Sequence, residues 1–182
     1  MANFAQGPYT VLNGQKYVGR GVPRYRSSWE WAFMQFCDNN ENIIQWASEP
    51  VRIPYRHPLT GKMTTYVPDF IVTYRGPNNT TRAELIEIKP KKQSMLEDKM
   101  NSRDRAIVAI NYAKWDSAQK WAKANGLTFR QKNSRNYEHD RKKSLSCEYG
   151  KDARYPLPIH EIFSQDPKDT RKIAPKNPPN LD

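Results

Sequence analysis

The sequence is poor in the residues that many small active sites are built from. Two cysteines, Cys37 and Cys147, in 182 residues are too few for a disulfide framework or a cysteine zinc site, and both are read as ordinary thiols. Three histidines, His57, His139 and His160, are scattered without ligand spacing, which speaks against a histidine zinc site and a histidine-assisted nucleophile. No GxxxxGK[ST] phosphate loop occurs, so a nucleotide-driven motor is not expected and neither is a nucleotide cofactor. No run approaches the ~20 apolar residues that cross a bilayer. The N-terminal stretch MANFAQGPYT lacks the basic-then-apolar order of a secretory signal. A cytoplasmic chain without membrane partners is expected, and no internal repeat is evident.

What the chain does have is positive charge. Thirty Lys and Arg against 19 Asp and Glu give a net charge of +11, which raises the expectation of a polyanionic partner. The length suits one domain with an extension. With 5 Trp and 10 Tyr there is enough aromatic surface for a dense small core.

Three zones follow from composition. Residues 1–25, broken by Gly7-Pro8, Gly14, Gly19, Gly21 and Pro23, read as a flexible basic N-terminal arm. Residues 26–132 carry the periodic segments of a folded domain. Residues 133–182 are charged and hold six of the 14 prolines between Pro156 and Pro179, which predicts an irregular C-terminal tail. Within that tail, the segment from Tyr155 to Phe163 is the apolar island, a candidate for docking on the core or a partner.

Inside the domain, Ser27 to Asn39 reads as a helix and 43–74 as short strands at 43–46, 51–55, 63–67 and 70–74. A turn at His57-Pro58-Leu59-Thr60-Gly61-Lys62 makes a hairpin of the second and third strands, and a turn at 76–79 leads into a strand over 83–89. Three or four strands would then form a meander. A long helix over about 104–125, with Ser102 as a candidate cap and Gly126 past its end, leads to a strand at 127–131. Ile107, Ile110, Ala118, Trp121 and Ala122 fall near one face, with Lys114, Lys120 and Lys123 away from it. The expectation is an α/β fold with a mixed central sheet flanked by helices.

The chemistry concentrates in YVPDF and LIEIKPKKQ. In a strand over 83–89, Leu85, Glu87 and Lys89 share one face while Ile86 and Ile88 share the other. If this strand pairs antiparallel with 70–74, Asp69 at the start of one lies beside Glu87 and Lys89 at the end of the other. Two carboxylates in contact repel unless a cation separates them. Mg²⁺ suits one or two carboxylates plus water and phosphate oxygens, and Lys89 would orient or deprotonate the attacking water. This is hydrolytic phosphodiester chemistry. Ser27-x-x-Glu30 is a capping box, in which the glutamate satisfies a free helix-end donor and needs no catalytic role. Glu49, before the second strand, reads as a loop-edge acid. Lys91, Lys92, Gln93, Lys99, Arg103 and Arg105 follow the motif as candidate DNA contacts, where phosphate binding would position a duplex without reading sequence.

Pro68-Asp69, an 18-residue step and Glu87-Ile88-Lys89 resemble the PD-(D/E)XK nuclease superfamily. Read together, YRSSWEWAFMQFCD, IIQWASEPVRIPYRHPLTGKMTTYVPDFIV, ELIEIKPKKQ and NYAKWDSAQKWAKANG resemble the head-completion nucleases of T-even-like phages, themselves similar to the TnsA catalytic domain. That resemblance covers roughly residues 24–132 and leaves the tail without a role. It implies a restriction-endonuclease-like fold and Mg²⁺-dependent cleavage of double-stranded DNA, with Mn²⁺ able to substitute. Its implied site is Asp69, Glu87, the Ile88 carbonyl and Glu30 on the metal, with Lys89 beside them. It also implies head or neck and packaging proteins as partners, and the host-cell cytoplasm or the virion as location. Two other readings stay open: a non-catalytic protein that binds DNA ends in head assembly, and a TnsA-like or repair endonuclease working with a recombinase.

Overall fold

The computed structural model describes residues 6–132 apart from 91, 92, 95, 97 and 98. The expected tail over 133–182, its apolar island and Cys147 therefore lie outside the described residues, as do Lys91 and Lys92.

Both helices start where side chains satisfy free backbone donors. Helix α1, Ser28–Asn39, begins at Ser27, whose Oγ accepts the Glu30 N–H at 3.2 Å. Glu30 answers reciprocally: its Oε1 accepts the Ser27 hydroxyl at 3.0 Å and its Oε2 the Arg26 N–H at 2.8 Å, a variant of the capping box whose backbone donor lies one residue before the cap. Helix α2, Ser102–Ala124, is capped by Asn101, one residue before the expected Ser102. An amide closes this end better than a hydroxyl, because Asn101 accepts the Asp104 N–H at 2.8 Å and also donates to the Asp104 carboxylate at 3.0 Å. At the far end Gly126 takes φ 73°, and the Leu127 N–H returns to the Ala122 carbonyl at 2.8 Å, the turn that releases the chain into the next strand.

The central sheet has four strands in the order β3 (Ile43–Ser48), β6 (Phe70–Arg75), β7 (Thr81–Ile88) and β8 (Thr128–Lys132). Its first three strands are antiparallel, and β8 joins β7 in parallel after the α2 crossover, which makes the sheet mixed as expected. The two remaining strands of the domain, β4 (Ile53–Arg56) and β5 (Met63–Tyr66), break the expected meander. They pair with each other outside the central sheet, so that β3 meets β6. Their pattern explains it. Ile53 and Tyr55 are buried while Pro54 and Arg56 are exposed, and Met63, Thr64 and Thr65 are exposed, so the hairpin has one face to bury and suits a cover rather than a centre.

Each face of the sheet packs on one helix. Phe33, Met34 and Cys37 of α1 meet Trp46, Phe70, Val72, Tyr74 and Ile86 on one side. Ala118 and Ala122 of α2, with Ile53, Tyr55 and Tyr66 of the hairpin, meet Ala47, Ile71 and Leu85 on the other. Full burial of a side chain such as Phe33 or Phe70 contributes roughly 1.5–3 kcal/mol.

The segment expected as a flexible arm is instead strapped to the core from residue 6 onward. Its strand β1 (Gly7–Pro8) pairs with β2 (Arg24–Tyr25). Between them the buried Asp38 of α1 accepts the Tyr9 hydroxyl at 3.2 Å and the backbone N–H groups of Leu12 and Asn13 at 2.7 and 2.9 Å. Lys16 donates to the Asp38 and Asn40 carbonyls at the helix end, at 3.1 and 2.9 Å. The Tyr17 ring lies 4.6 Å from that of Trp46, whose backbone accepts the Val18 N–H at 3.0 Å and donates to the Lys16 carbonyl at 2.8 Å. Glycine and proline broke the regular elements here, but one buried acid and two aromatic rings supply the anchors that composition alone does not reveal.

Candidate active site

At the end of β7 three expected residues converge. Strand β6 begins at Phe70, opposite Ile86, which places Asp69 at the level of Glu87 and Ile88. The Asp69 Oδ2 accepts the Ile88 N–H at 2.7 Å and lies 4.0 Å from the Lys89 Nζ. Lys89 pairs with the Glu87 Oε1 at 2.8 Å, and the Tyr66 hydroxyl donates to the Glu87 Oε2 at 2.5 Å. Glu87 is therefore held from both sides, almost wholly buried. Asp69 keeps its Oδ1 without a donor among the described residues.

Electrostatics sharpen this picture. Burial, and then the charge of Glu87, push the Asp69 carboxyl up to about 8, against the opposing pull of Lys89 and the Ile88 N–H. Burial opposes the Lys89 charge, but Asp69 and Glu87 outweigh it and hold the ammonium above its ordinary value. Burial and the Glu87 charge push the Tyr66 phenol far up, so it stays a hydrogen-bond donor. The site is thus an acid pair that one lysine cannot keep fully ionised, so Asp69 tends to hold its proton while Lys89 stays a cation.

Glu30 reaches this centre by its field and not by contact. Its charge adds to the strain on Asp69 and supports the Lys89 cation, while both of its oxygens are occupied in the cap of α1. Glu49, at the end of β3, adopts a left-handed φ of 48°, donates its N–H to the Asp69 carbonyl at 2.9 Å and pairs with Arg26 at 2.6 Å. A loop acid is what the sequence implied there, but its backbone also fixes the start of β6. The strap brings Arg20 and Arg24 to the same end, where with Tyr17 and Glu49 they line a cavity of about 150 Å³.

Among the expected DNA contacts, Gln93 is exposed, with its backbone carbonyl accepting the Asn111 side chain at 2.9 Å. Lys99, Arg103 and Arg105 are exposed around the start of α2. Two site residues escaped sequence reasoning. In the sequence Tyr66 is one more aromatic in a strand, although it stands two residues before Pro68-Asp69. Lys114 was placed on the outer face of α2, yet it is half-buried and stands 5.8 Å from both the Tyr55 and Tyr66 ring centroids. The signal was present: three residues after the buried Asn111 and four before the buried Ala118, Lys114 falls within the inward stripe.

A mixed sheet between two helices, with an acid pair and a lysine at the end of adjacent antiparallel strands, defines a restriction-endonuclease-like core. Comparison with known proteins agrees. Residues 40–133 match the family model described as TnsA-like endonuclease N terminal. The "Head completion nuclease" of Enterobacteria phage T4 is 33% identical over 137 residues, covering 68% of this chain and 87% of that protein. No solved structure matches the chain significantly. The chain belongs to the TnsA-like endonuclease N-terminal family, and it is similar to the T4 nuclease over most of that protein's length. The matched segment contains Asp69, Glu87, Lys89 and Lys114 and begins after Glu30. No helix among the described residues is long and apolar enough to cross a membrane.

Proposed function

We propose that this chain is a metal-dependent DNA endonuclease of the PD-(D/E)XK type that processes DNA ends during phage head completion, with Mg²⁺ as its metal and Mn²⁺ as a substitute. The observation that carries the reading is the contact of Asp69, Glu87 and Lys89 at one end of the sheet. The donor set fits a hard cation. Both ligands are carboxylates, burial and then their mutual repulsion lift Asp69, and its Oδ1 has no donor among the described residues. Among those residues no third acid or imidazole closes on the same point. That suits Mg²⁺, which binds through one or two carboxylates and fills its shell with water and phosphate oxygens.

Asp69, Glu87 and the Ile88 carbonyl would hold the metal, and Glu30 would join them by giving up part of its cap. When bound, the cation supplies Lewis acidity for hydrolysis of the phosphodiester. The chain's own groups do the rest. The Ile88 N–H and the Tyr66 hydroxyl fix the rotamers of Asp69 and Glu87 before substrate arrives. Lys89, a cation, orients the attacking water and offsets charge growing on the phosphate, a role that fits its raised pKa better than that of a base. A water oxygen bonds to phosphorus, one P–O ester bond breaks, and a proton ends on the leaving oxygen. Arg20 and Arg24 beside Glu49, with Lys99, Arg103 and Arg105, supply positive charge for a duplex backbone. Head completion as the setting rests on the T4 relative's name, and head, neck or packaging proteins would be the partners.

Supercoiled plasmid nicking tests the reading. The protein is expected to nick or cut with Mg²⁺ or Mn²⁺ and to stop in excess chelator, and Glu30→Gln, which keeps one of the two cap acceptors but not the charge, is expected to lose cleavage while losing only about 1 kcal/mol of stability. Undiminished cleavage in chelator would overturn the metal mechanism, and wild-type cleavage by Glu30→Gln would leave Glu30 as a cap only.

A further inference from the structure

Helix α2 carries one lysine whose surroundings its own structural neighbours do not explain. Lys114 is half-buried on the helix stripe that faces the sheet, and no carboxylate among the described residues pairs with it. Lys120, on the outer side of the same helix, is exposed and paired with Asp116 at 2.7 Å, the ordinary arrangement for a helix lysine. Partial burial of an ammonium without a counter-ion costs free energy. Its aromatic neighbours return little. At 5.8 Å from each ring centroid the cation sits near the outer limit for ring attraction, where about 0.5–1 kcal/mol is the expected scale.

The direction in which Lys114 faces is informative. One of its two rings belongs to Tyr66, the phenol bonded to Glu87. Burial and then the charge of Lys89 depress the Lys114 ammonium, while Glu87 and Asp69 support it, so its charge is coupled to every ionised member of the acid pair and its lysine. Lys89 already spends a donor on Glu87 at 2.8 Å. Lys114 has all three of its donors uncommitted among the described residues. An ammonium in this position repels a metal cation but completes a seat for an anion. In a site that handles a polyanionic backbone, that anion is a phosphate.

On the endonuclease reading above, we propose that Lys114 is a phosphate-holding cation of the site: from α2, across Tyr66, it binds a non-bridging oxygen of the phosphate being cut or of its immediate neighbour in the nucleic-acid backbone. Its contribution is to fix the backbone against the acid pair, whereas Lys89 serves the attacking water. The role asks for one positive charge with a donor toward one oxygen, which a lysine supplies and which a single guanidinium N–H can also supply.

The test uses the full chain with Lys114→Ala, Lys114→Gln and Lys114→Arg beside wild type. Duplex-oligonucleotide binding is measured against salt in chelator, single-turnover cleavage is measured with Mg²⁺ over a range of DNA concentrations, and thermal unfolding is recorded for each variant. Loss of one phosphate contact is expected to lower the log–log salt slope by about 0.9 for the alanine and glutamine variants. Their half-saturating DNA concentration rises, their maximal cleavage rate falls by about 10-fold or more, and Lys114→Arg recovers most of both, with unfolding midpoints close to wild type. Wild-type slope and cleavage with a lowered midpoint would overturn the inference and leave Lys114 as packing on two tyrosines. If wild-type protein itself fails to cut with Mg²⁺, the endonuclease reading falls separately and the salt slope alone judges Lys114: a reduced slope keeps its phosphate contact, and an unchanged slope overturns it.

Discussion

Strand β7 carries two buried glutamates three residues apart, on opposite faces of the sheet, and each has a tyrosine and a cation beside it. On the α1 side Glu84 accepts the Tyr74 hydroxyl at 2.9 Å and pairs with the Arg130 Nε at 3.2 Å. On the α2 side Glu87 accepts the Tyr66 hydroxyl at 2.5 Å and pairs with Lys89 at 2.8 Å. The side chains are 4% and 2% exposed, so burial does not distinguish them. What differs is the company. Glu84 is paired with a cation, Arg130, whereas Glu87 meets a second carboxylate, Asp69, that the same lysine must also serve. A phenol and a cation suffice to bury one carboxylate. Two acids against one lysine leave the second acid to hold a proton or to meet a cationic ligand.

This contrast breaks most sharply with paired substitutions. Glu87→Gln is expected to lower single-turnover cleavage by at least about 100-fold, whereas Glu84→Gln leaves cleavage alone and costs about 1–3 kcal/mol in urea unfolding, because Arg130 loses its ionised partner. Equal effects of both on cleavage would mean that the two clusters are not functionally different. The tyrosines sharpen the same division on a smaller scale. Removing the hydroxyl that orients Glu87 in Tyr66→Phe is expected to reduce cleavage by about 10–100-fold. Tyr74→Phe costs about 1 kcal/mol of stability and nothing in catalysis.

The smallest effect is a pH signature. Asp69 titrates near 8 in the folded chain, above the ordinary carboxylate range. Its contribution to stability is therefore full below about pH 4, where it is protonated in both states, and is lost as pH rises through about 8. In chelator, Asp69→Asn should remove this decline and raise the unfolding midpoint at pH 8 relative to wild type, by about 2–4 °C for each kcal/mol recovered. A wild-type midpoint that does not change relative to Asp69→Asn between pH 5 and 8 would show that the acid pair is relaxed by something other than protonation.

Much of this site was legible in the chain. Alternation in LIEIK put Glu87 and Lys89 on the face opposite Ile86 and Ile88, and the turn at 76–79 brought Asp69 alongside them. That turn works because Asn78 and Asn79 both accept left-handed backbone, each at φ 58°. Local chemistry also placed the capping box, the hairpin around Gly61 and the end of α2 at Gly126. The meander failed for a nonlocal reason. Strand β4 is as good a neighbour for β3 as β6 is by sequence proximity, and only the demand to bury β6 on both faces, with the hairpin covering α2, decides between them. The basic arm failed because its anchors, Asp38 and Trp46, lie 20 or more residues beyond the backbone groups they hold.

The periods of strand and helix, and the residue types at strand ends, were sufficient to determine that this protein carries an acid pair and a lysine at one end of an α/β sheet, since a two-residue repeat dictates which side chains share a face. Which acid stands beside a second carboxylate and which is paired with an arginine was decided by tertiary structure alone. Glu84 and Glu87 lie on the same strand with the same kind of neighbours. Their difference arises from Asp69 and Lys114, delivered to one face by another strand and a helix, and the energy of a buried charge is set by the other charges within a few ångströms, which sequence order does not specify.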